Sequence, residues 1–180
     1  MFARLIAGAA ATALCAASAW QIVSPPSPRV IYNKSPSAPV GWYAIDSKAP
    51  ITTGVQVAAF APAEARNLAA NRGYLPAHVP LIKTVWAIAG AEICATNGAI
   101  SVPNRPLIHA AAEDGLGRAM PRLEGCFILN ADEVFLVSTD VQTSFDSRYF
   151  GAVPAENIIG AVTYLGDTGE NGDGARGERQ

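Results

Sequence analysis

Thirteen prolines and sixteen glycines are spread through 180 residues, so most apolar runs end before they can become long helices. Proline lacks the amide hydrogen that a helix interior needs, and glycine carries an entropic cost there, which leaves short strands and turns as the favoured solution. The surviving apolar runs have strand length. They are Val-Ile-Tyr (30–32), Gly-Trp-Tyr-Ala-Ile (41–45), Gly-Val-Gln-Val-Ala-Ala-Phe (54–60) and the stretches 79–90, 125–129, 133–137 and 158–165. One segment departs from this pattern. From Pro62 to Arg72 the composition switches to Ala, Glu, Arg, Asn and Leu, with proline in the first turn and Gly73 just past the end, which predicts the one helix of the mature chain. The expected fold class is therefore mainly β with one short helix. Hydrophobic residues at 50 %, charged residues at 16 % and a formal net charge of −2 fit one globular domain and give no basic footprint for nucleic acid.

The first residues set the compartment. Arg4 precedes an uncharged, alanine-rich stretch from Leu5 to Ala19 that ends in Ala17-Ser18-Ala19, the order of a secretory signal with its small-residue cleavage site. Cleavage after Ala19 is favoured over retention as a membrane anchor, because the stretch is short and alanine only weakly apolar. Leu14, a bulky residue before Cys15, argues against lipidation. A Pro/Ser-rich connector (20–29), the domain proper (30–165) and a polar, glycine-rich tail (166–180) expected to be disordered follow. Loss of Cys15 with the leader leaves Cys94 and Cys126 in an oxidising space, where a disulfide is the natural reading. A zinc site would need CxxC pairs or nearby histidines, and none is present.

Three stretches can carry chemistry. Lys83 lies in the apolar run 79–90, sharing a face with Leu81, Val85, Ala87 and Ala89 while Ile82, Trp86 and Ile88 point the other way, so neither face is plainly in water. Desolvation disfavours an ammonium, and a lysine held neutral can accept a proton from a serine; the plain alternative is a strand-edge lysine reaching solvent. The segment 33–43, Asn-Lys-Ser-Pro-Ser-Ala-Pro-Val-Gly-Trp-Tyr, holds Ser35 and Ser37 on a proline-stiffened turn, the placement a nucleophile requires. In 143–151, Thr-Ser-Phe-Asp-Ser-Arg-Tyr-Phe-Gly, Asp146 and Arg148 are two apart and would pair on one side of an extended segment, the plain alternative being a surface ion pair of little worth. The two histidines, His78 and His109, read as loop residues, and Gly-Leu-Gly (115–117) reads as a turn.

Taken together and in this order, the three stretches resemble the signal peptidase I clan of Ser-Lys proteases, and within it most closely the TraF-type pilin-maturation peptidases of conjugative transfer. The resemblance spans about residues 30 to 165 and implies an antiparallel β domain of signal peptidase I type. It implies that Ser37, in Ser-Ala-Pro-Val-Gly-Trp-Tyr, is the nucleophile and that Lys83, in Leu-Ile-Lys-Thr-Val-Trp-Ala-Ile-Ala-Gly, is the general base. By the same resemblance Ser35 contributes to the oxyanion hole with the Ser37 amide, Ser144 orients Lys83, and Asp146 with Arg148 braces the site. No metal or other cofactor is implied. The substrate would be a pilin precursor, the partners components of a conjugative type IV secretion apparatus, and the location the periplasm beside the inner membrane. In that branch the acyl-enzyme is resolved either by water or by the amino terminus of the pilin itself. Ala38 stands where the family commonly has Met, Ile-Ala-Gly-Ala (88–91) replaces Leu-Pro-Gly-Asp, and Val-Ser-Thr-Asp (137–140) replaces Gly-Asp-Asn-Arg. These departures favour the specialised branch over a general signal peptidase. The competing class is a non-catalytic component of the transfer machinery.

Overall fold

The computed structural model describes residues 29–167. The leader (1–19), all but the last residue of the connector and the tail beyond 167 lie outside them. A seven-stranded antiparallel sheet forms the body. Its strands are β1 (Val30–Asn33), β2 (Gly41–Asp46), β3 (Gln56–Ala59), β4 (Leu81–Ile88), β9 (Glu133–Val137), β10 (Val153–Pro154) and β11 (Ile158–Gly166), in the order β1-β2-β11-β3-β4-β9-β10. A smaller antiparallel sheet, β7-β6-β5-β8, is built from β5 (Glu92–Thr96), β6 (Ala99–Ser101), β7 (Ile108–His109) and β8 (Gly125–Ile128). The helix α1 (Ala63–Asn71) follows Pro62, buries Ala65 and Ala69 one turn apart, and ends where Gly73, at φ +72°, donates to the Ala70 carbonyl.

Strand β4 ties the interior together because both of its faces are covered. Ile82 packs with Tyr43, Ala58 and Val162, Val85 with Val57, Leu136 and Val153, and Trp86 and Ala87 with Ile93, Ile100 and Phe135. The strict alternation expected for 79–90 holds only as far as Val85. A bulge between Val85 and Ala87, opposite β9, puts Trp86 and Ala87 into one cluster instead of on opposite faces.

Three further differences from the sequence expectation have local causes. Residues 92–109 contribute three strands that the sequence reading left unassigned, joined first by Asn97-Gly98, both at positive φ, the residues a two-residue hairpin turn demands. A second helix, the single turn α2 (Ser147–Phe150), lies where an extended segment was expected. Strand β11 runs to Gly166, and the hydroxyl of Tyr32 donates to Asp167, so the first two residues of the expected tail are ordered. Gly41 is obligatory at the start of β2. At φ +141° its Cα approaches β11 so closely that a Cβ would stand 2.6 Å from the Gly166 carbonyl oxygen. None of the helices among the described residues is long and apolar enough to cross a membrane.

Cys94 and Cys126 are register partners on β5 and β8, with Cα atoms 4.1 Å apart and sulfurs at bonding distance. Together with Glu92 they form the one cluster of potential metal donors among the described residues, and sulfurs bonded to each other offer no thiolate. The pair closes a loop over a separation of 32 residues. In the chain-entropy model such a closure is worth about 3–4 kcal/mol. The unreduced protein should show no thiol reactive toward Ellman's reagent among these two cysteines, and Cys94→Ser/Cys126→Ser should lower the unfolding free energy measured in urea by about that amount. Two free thiols in the unreduced, folded protein would contradict the pairing.

Candidate active site

The three chemically suggestive stretches meet on one side of the large sheet. Lys83, on β4 between β3 and β9, is 2 % exposed. Its Nζ lies 2.9 Å from Ser37 Oγ and 2.8 Å from Ser144 Oγ. Burial pushes the lysine down to about 8, with the nearby Arg148 acting in the same direction and the Asp146 carboxylate opposing both. The covered strand leaves the ammonium no route to water, so its neighbours are two hydroxyls in place of a hydration shell.

Ser37 comes from the loop between β1 and β2. Its hydroxyl lies 3.0 Å from Ser35 Oγ, and its backbone N–H donates to that same oxygen at 3.3 Å. The exit of the loop is fastened from the sheet: the hydroxyl of Tyr43, itself fully buried, donates to the Pro39 carbonyl at 2.8 Å, and that of Tyr164 to the Val40 carbonyl at 2.9 Å.

Ser144 is positioned from below by the Asp146–Arg148 pair. An extended segment or a surface ion pair was the sequence expectation; instead Asp146 caps the one-turn helix α2 and is wholly buried, and Arg148 is 3 % exposed. The carboxylate accepts from Arg148 Nε and Nη2, both at 2.8 Å, and from the backbone N–H groups of Ser138 and Arg148. The rest of the guanidinium fork donates to the carbonyls of His109 and Gln142 at 3.1 Å and of Val141 and Ser144 at 3.2 Å. The loop that carries Ser144 is thus gathered around one cation. A lysine has three donors on a point charge and cannot reproduce the fork. Burial opposes the charge of Arg148, and the Asp146 carboxylate more than offsets it, so the net shift is upward.

Phe145, between Ser144 and Asp146, locks the segment sideways, its ring centroid within 5.3 to 5.8 Å of those of Tyr74, Tyr149 and Phe150. Tyr74 in turn donates to Asp114, whose carboxyl is held well below the usual carboxylate range chiefly by that bond and also by Arg118. His109 lies on β7, not in a loop. Both histidines have exposed side chains, and neither is bonded to Ser37. Ala38 packs at the edge of the Tyr43 cluster. One contributor that sequence reasoning passed over is Asn33, the last residue of β1, whose side chain bonds within the Ser37 loop; asparagine just before a Ser/Pro turn was the available signal.

Comparison with known proteins shows what the chain as a whole is similar to. The family model for signal peptidase, peptidase S26, matches residues 2–165. A plasmid transfer protein TraF of Escherichia coli is 35% identical over 141 residues, covering 72% of this chain and 78% of that protein. A probable conjugal transfer protein TraF of Sinorhizobium fredii is 37% identical over 138 residues, 71% of this chain and 72% of its own length. A solved signal peptidase I from Enterococcus faecalis has 15% identity and a TM-score of 0.38, over 66% of this chain and 100% of that one.

Removing one member of a buried ion pair strands the other charge, a loss of about 3–5 kcal/mol. Asp146→Asn, which keeps shape but not charge, should destabilise the protein by that order in urea unfolding, and Arg148→Lys should also destabilise it by abolishing the fork. A change within experimental error for both would show that the pair does not brace the loop.

Proposed function

The chain belongs to the signal peptidase family, peptidase S26, and from that premise we propose that it is an exported serine endopeptidase working through a Ser37–Lys83 dyad. The observation that carries the reading is the Lys83 amine, buried, lowered to about 8 and 2.9 Å from the Ser37 hydroxyl. In its neutral form Nζ has one lone pair and two N–H bonds. The lone pair takes the Ser37 proton, and an N–H donated to Ser144 Oγ holds the amine in line. Ser37 Oγ attacks the scissile carbonyl, and the resulting ammonium returns the proton to the leaving amine, freeing the new amino terminus and leaving Ser37 acylated. A second nucleophile, water or an amine, gives its proton to Lys83 and takes the acyl group, and Lys83 returns that proton to the departing Ser37 Oγ, which restores the dyad.

The developing oxyanion needs donors, and those at hand are the Ser37 amide and the Ser35 hydroxyl. In the free protein the first donates to the second. Substrate entry therefore has to break that bond, turning the Ser35 hydroxyl from acceptor into donor. Asp146 and Arg148 take no proton in this scheme; they hold Ser144, and through it Lys83.

The proposed substrate is the precursor of a conjugative pilin, on the support of relatives named for plasmid and conjugal transfer. The proposed location, supported by the alanine-rich leader, is the periplasm beside the inner membrane, with the other components of a type IV transfer apparatus as proposed partners.

Co-expression with the pilin precursor of the same transfer region, followed by mass measurement of the pilin, tests the assignment. The wild type should trim the precursor, Ser37→Ala and Lys83→Ala should not, and a product lighter than the trimmed linear chain by one water would identify cyclisation. An unprocessed precursor in the presence of folded, exported wild type would favour a non-catalytic role. Activity should also depend on pH with a definite sign. Below about 8 Lys83 is protonated and has no lone pair, so kcat/KM should fall about tenfold per pH unit on the acid side and level off above. A flat profile from roughly pH 6 to 9 with chemistry rate-limiting would contradict a neutral-lysine base.

A further inference from the structure

We propose that Asn33 is the positioning residue of the nucleophile, its carboxamide gathering the carbonyl groups on both sides of Ser37 so that the hydroxyl is presented to Lys83; the inference rests on the Ser–Lys reading above. Asn33 ends β1 and pairs across the hairpin with Gly41, so its side chain sits in the mouth of the loop it closes. Its Nδ2 donates to the carbonyls of Ser35 at 2.8 Å, Ala38 at 3.0 Å and Pro39 at 3.1 Å, while its Oδ1 accepts from the Ser35 N–H at 3.0 Å. Two amide hydrogens reach three oxygens, so one is shared. The orientation is forced, since a flipped amide would set its oxygen against three carbonyls and its nitrogen against an N–H.

The loop has little else. Among the described residues, none of the backbone-to-backbone hydrogen bonds outside helices and strands lies within 34–40. Its polar backbone is satisfied by side chains: Asn33 takes Ser35 from both its N–H and its C=O, and the tyrosines hold Pro39 and Val40 at the exit. Ser35, so fixed, accepts from the Ser37 amide and touches the Ser37 hydroxyl. The chain of contacts runs from Asn33 through Ser35 to Ser37 on one side and through Ala38 and Pro39 on the other. Because the loop is only half-buried or exposed, water can replace the lost bonds in a variant. What is lost is placement and not folding.

Asn33→Asp separates the two halves of the role: it keeps an acceptor for the Ser35 N–H, removes every donor and turns a negative charge toward three carbonyls. The test measures acylation of Ser37 by a penem as a function of probe concentration, together with thermal unfolding, for the wild type, Asn33→Ala, Asn33→Asp, Ser37→Ala and Lys34→Ala, an exposed loop control. Misplacing a nucleophile by about 1 Å costs on the order of 10²-fold in rate. Both Asn33 variants should be acylated at saturation about that much more slowly, with half-saturation and midpoint temperature close to wild type, while Lys34→Ala matches wild type. The proposal is overturned if either Asn33 variant reacts at the wild-type rate, if the loss lies wholly in half-saturation, or if both variants fail to fold. A wild type that is not acylated overturns the Ser–Lys reading itself, and this inference with it; failure of the inference alone leaves the wild type labelled and Ser37→Ala blank.

Discussion

A carboxylate and a guanidinium shut away from water, Asp146 and Arg148, hold the site from beneath. Buried charges are tolerated only when paired and hydrogen-bonded, and here every donor of the fork and both carboxylate oxygens have partners. The consequence is structural order in a stretch that would otherwise be a loose connection. The carbonyls of Ser138, Val141, Gln142 and Ser144 turn inward onto one cation, α2 begins where Asp146 caps it, and Ser144 is delivered to Lys83. The His109 carbonyl joins the same cation, which ties the small, cysteine-bearing sheet to the large one at the point where the chemistry is proposed.

Lys83 imposes the opposite requirement. Its strand is covered on both faces, so the ammonium form is penalised in the folded protein and not in the unfolded one. With the folded value lowered to about 8 from 10.5, both states are protonated below 8 and the full penalty is felt. As pH rises from about 8 toward 10.5 the unfolded chain binds more protons than the folded one, so this group's contribution to stability improves. At neutral pH the protein is less stable for having this lysine where it is. Such a cost is intelligible at a site whose proposed chemistry needs an amine with a free lone pair.

Much of this was legible in the residues, though by different routes. The strands 30–32, 41–45, 125–129 and 133–137 and the helix near 62–72 follow from local patterning bounded by Gly and Pro, and the structure places them within a residue or two. The covered position of Lys83 was readable because neither face of its strand is polar. The grouping of Ser35, Ser37, Lys83 and Ser144 came from resemblance in order and motif, since no periodicity relates residues 46 and 61 apart in sequence. Three strands of the small sheet, β5 to β7, escaped because they are two to five residues long and half-exposed, too short for alternation to register, although Asn97-Gly98 marked their first turn. The bulge at Val85/Ala87 and the inward turn of Arg148 depend on partners distant in the chain, and a local reading assigned the first to strict alternation and the second to an extended segment or the surface. Asn33 was overlooked for a related reason: its role lies in bonds to a loop whose path only the fold reveals.

The central claim, that Lys83 stands beside Ser37 as an amine that loses its proton near pH 8, can be read directly. The chain contains three lysines, Lys34, Lys48 and Lys83, so the carbons next to each Nζ can be resolved by NMR in lysine-labelled protein and followed through a titration. One resonance, missing from Lys83→Met, should titrate with a midpoint near 8. A Lys83 midpoint at the 10.5 of a free lysine would contradict the claim, and with it the proton transfer from Ser37.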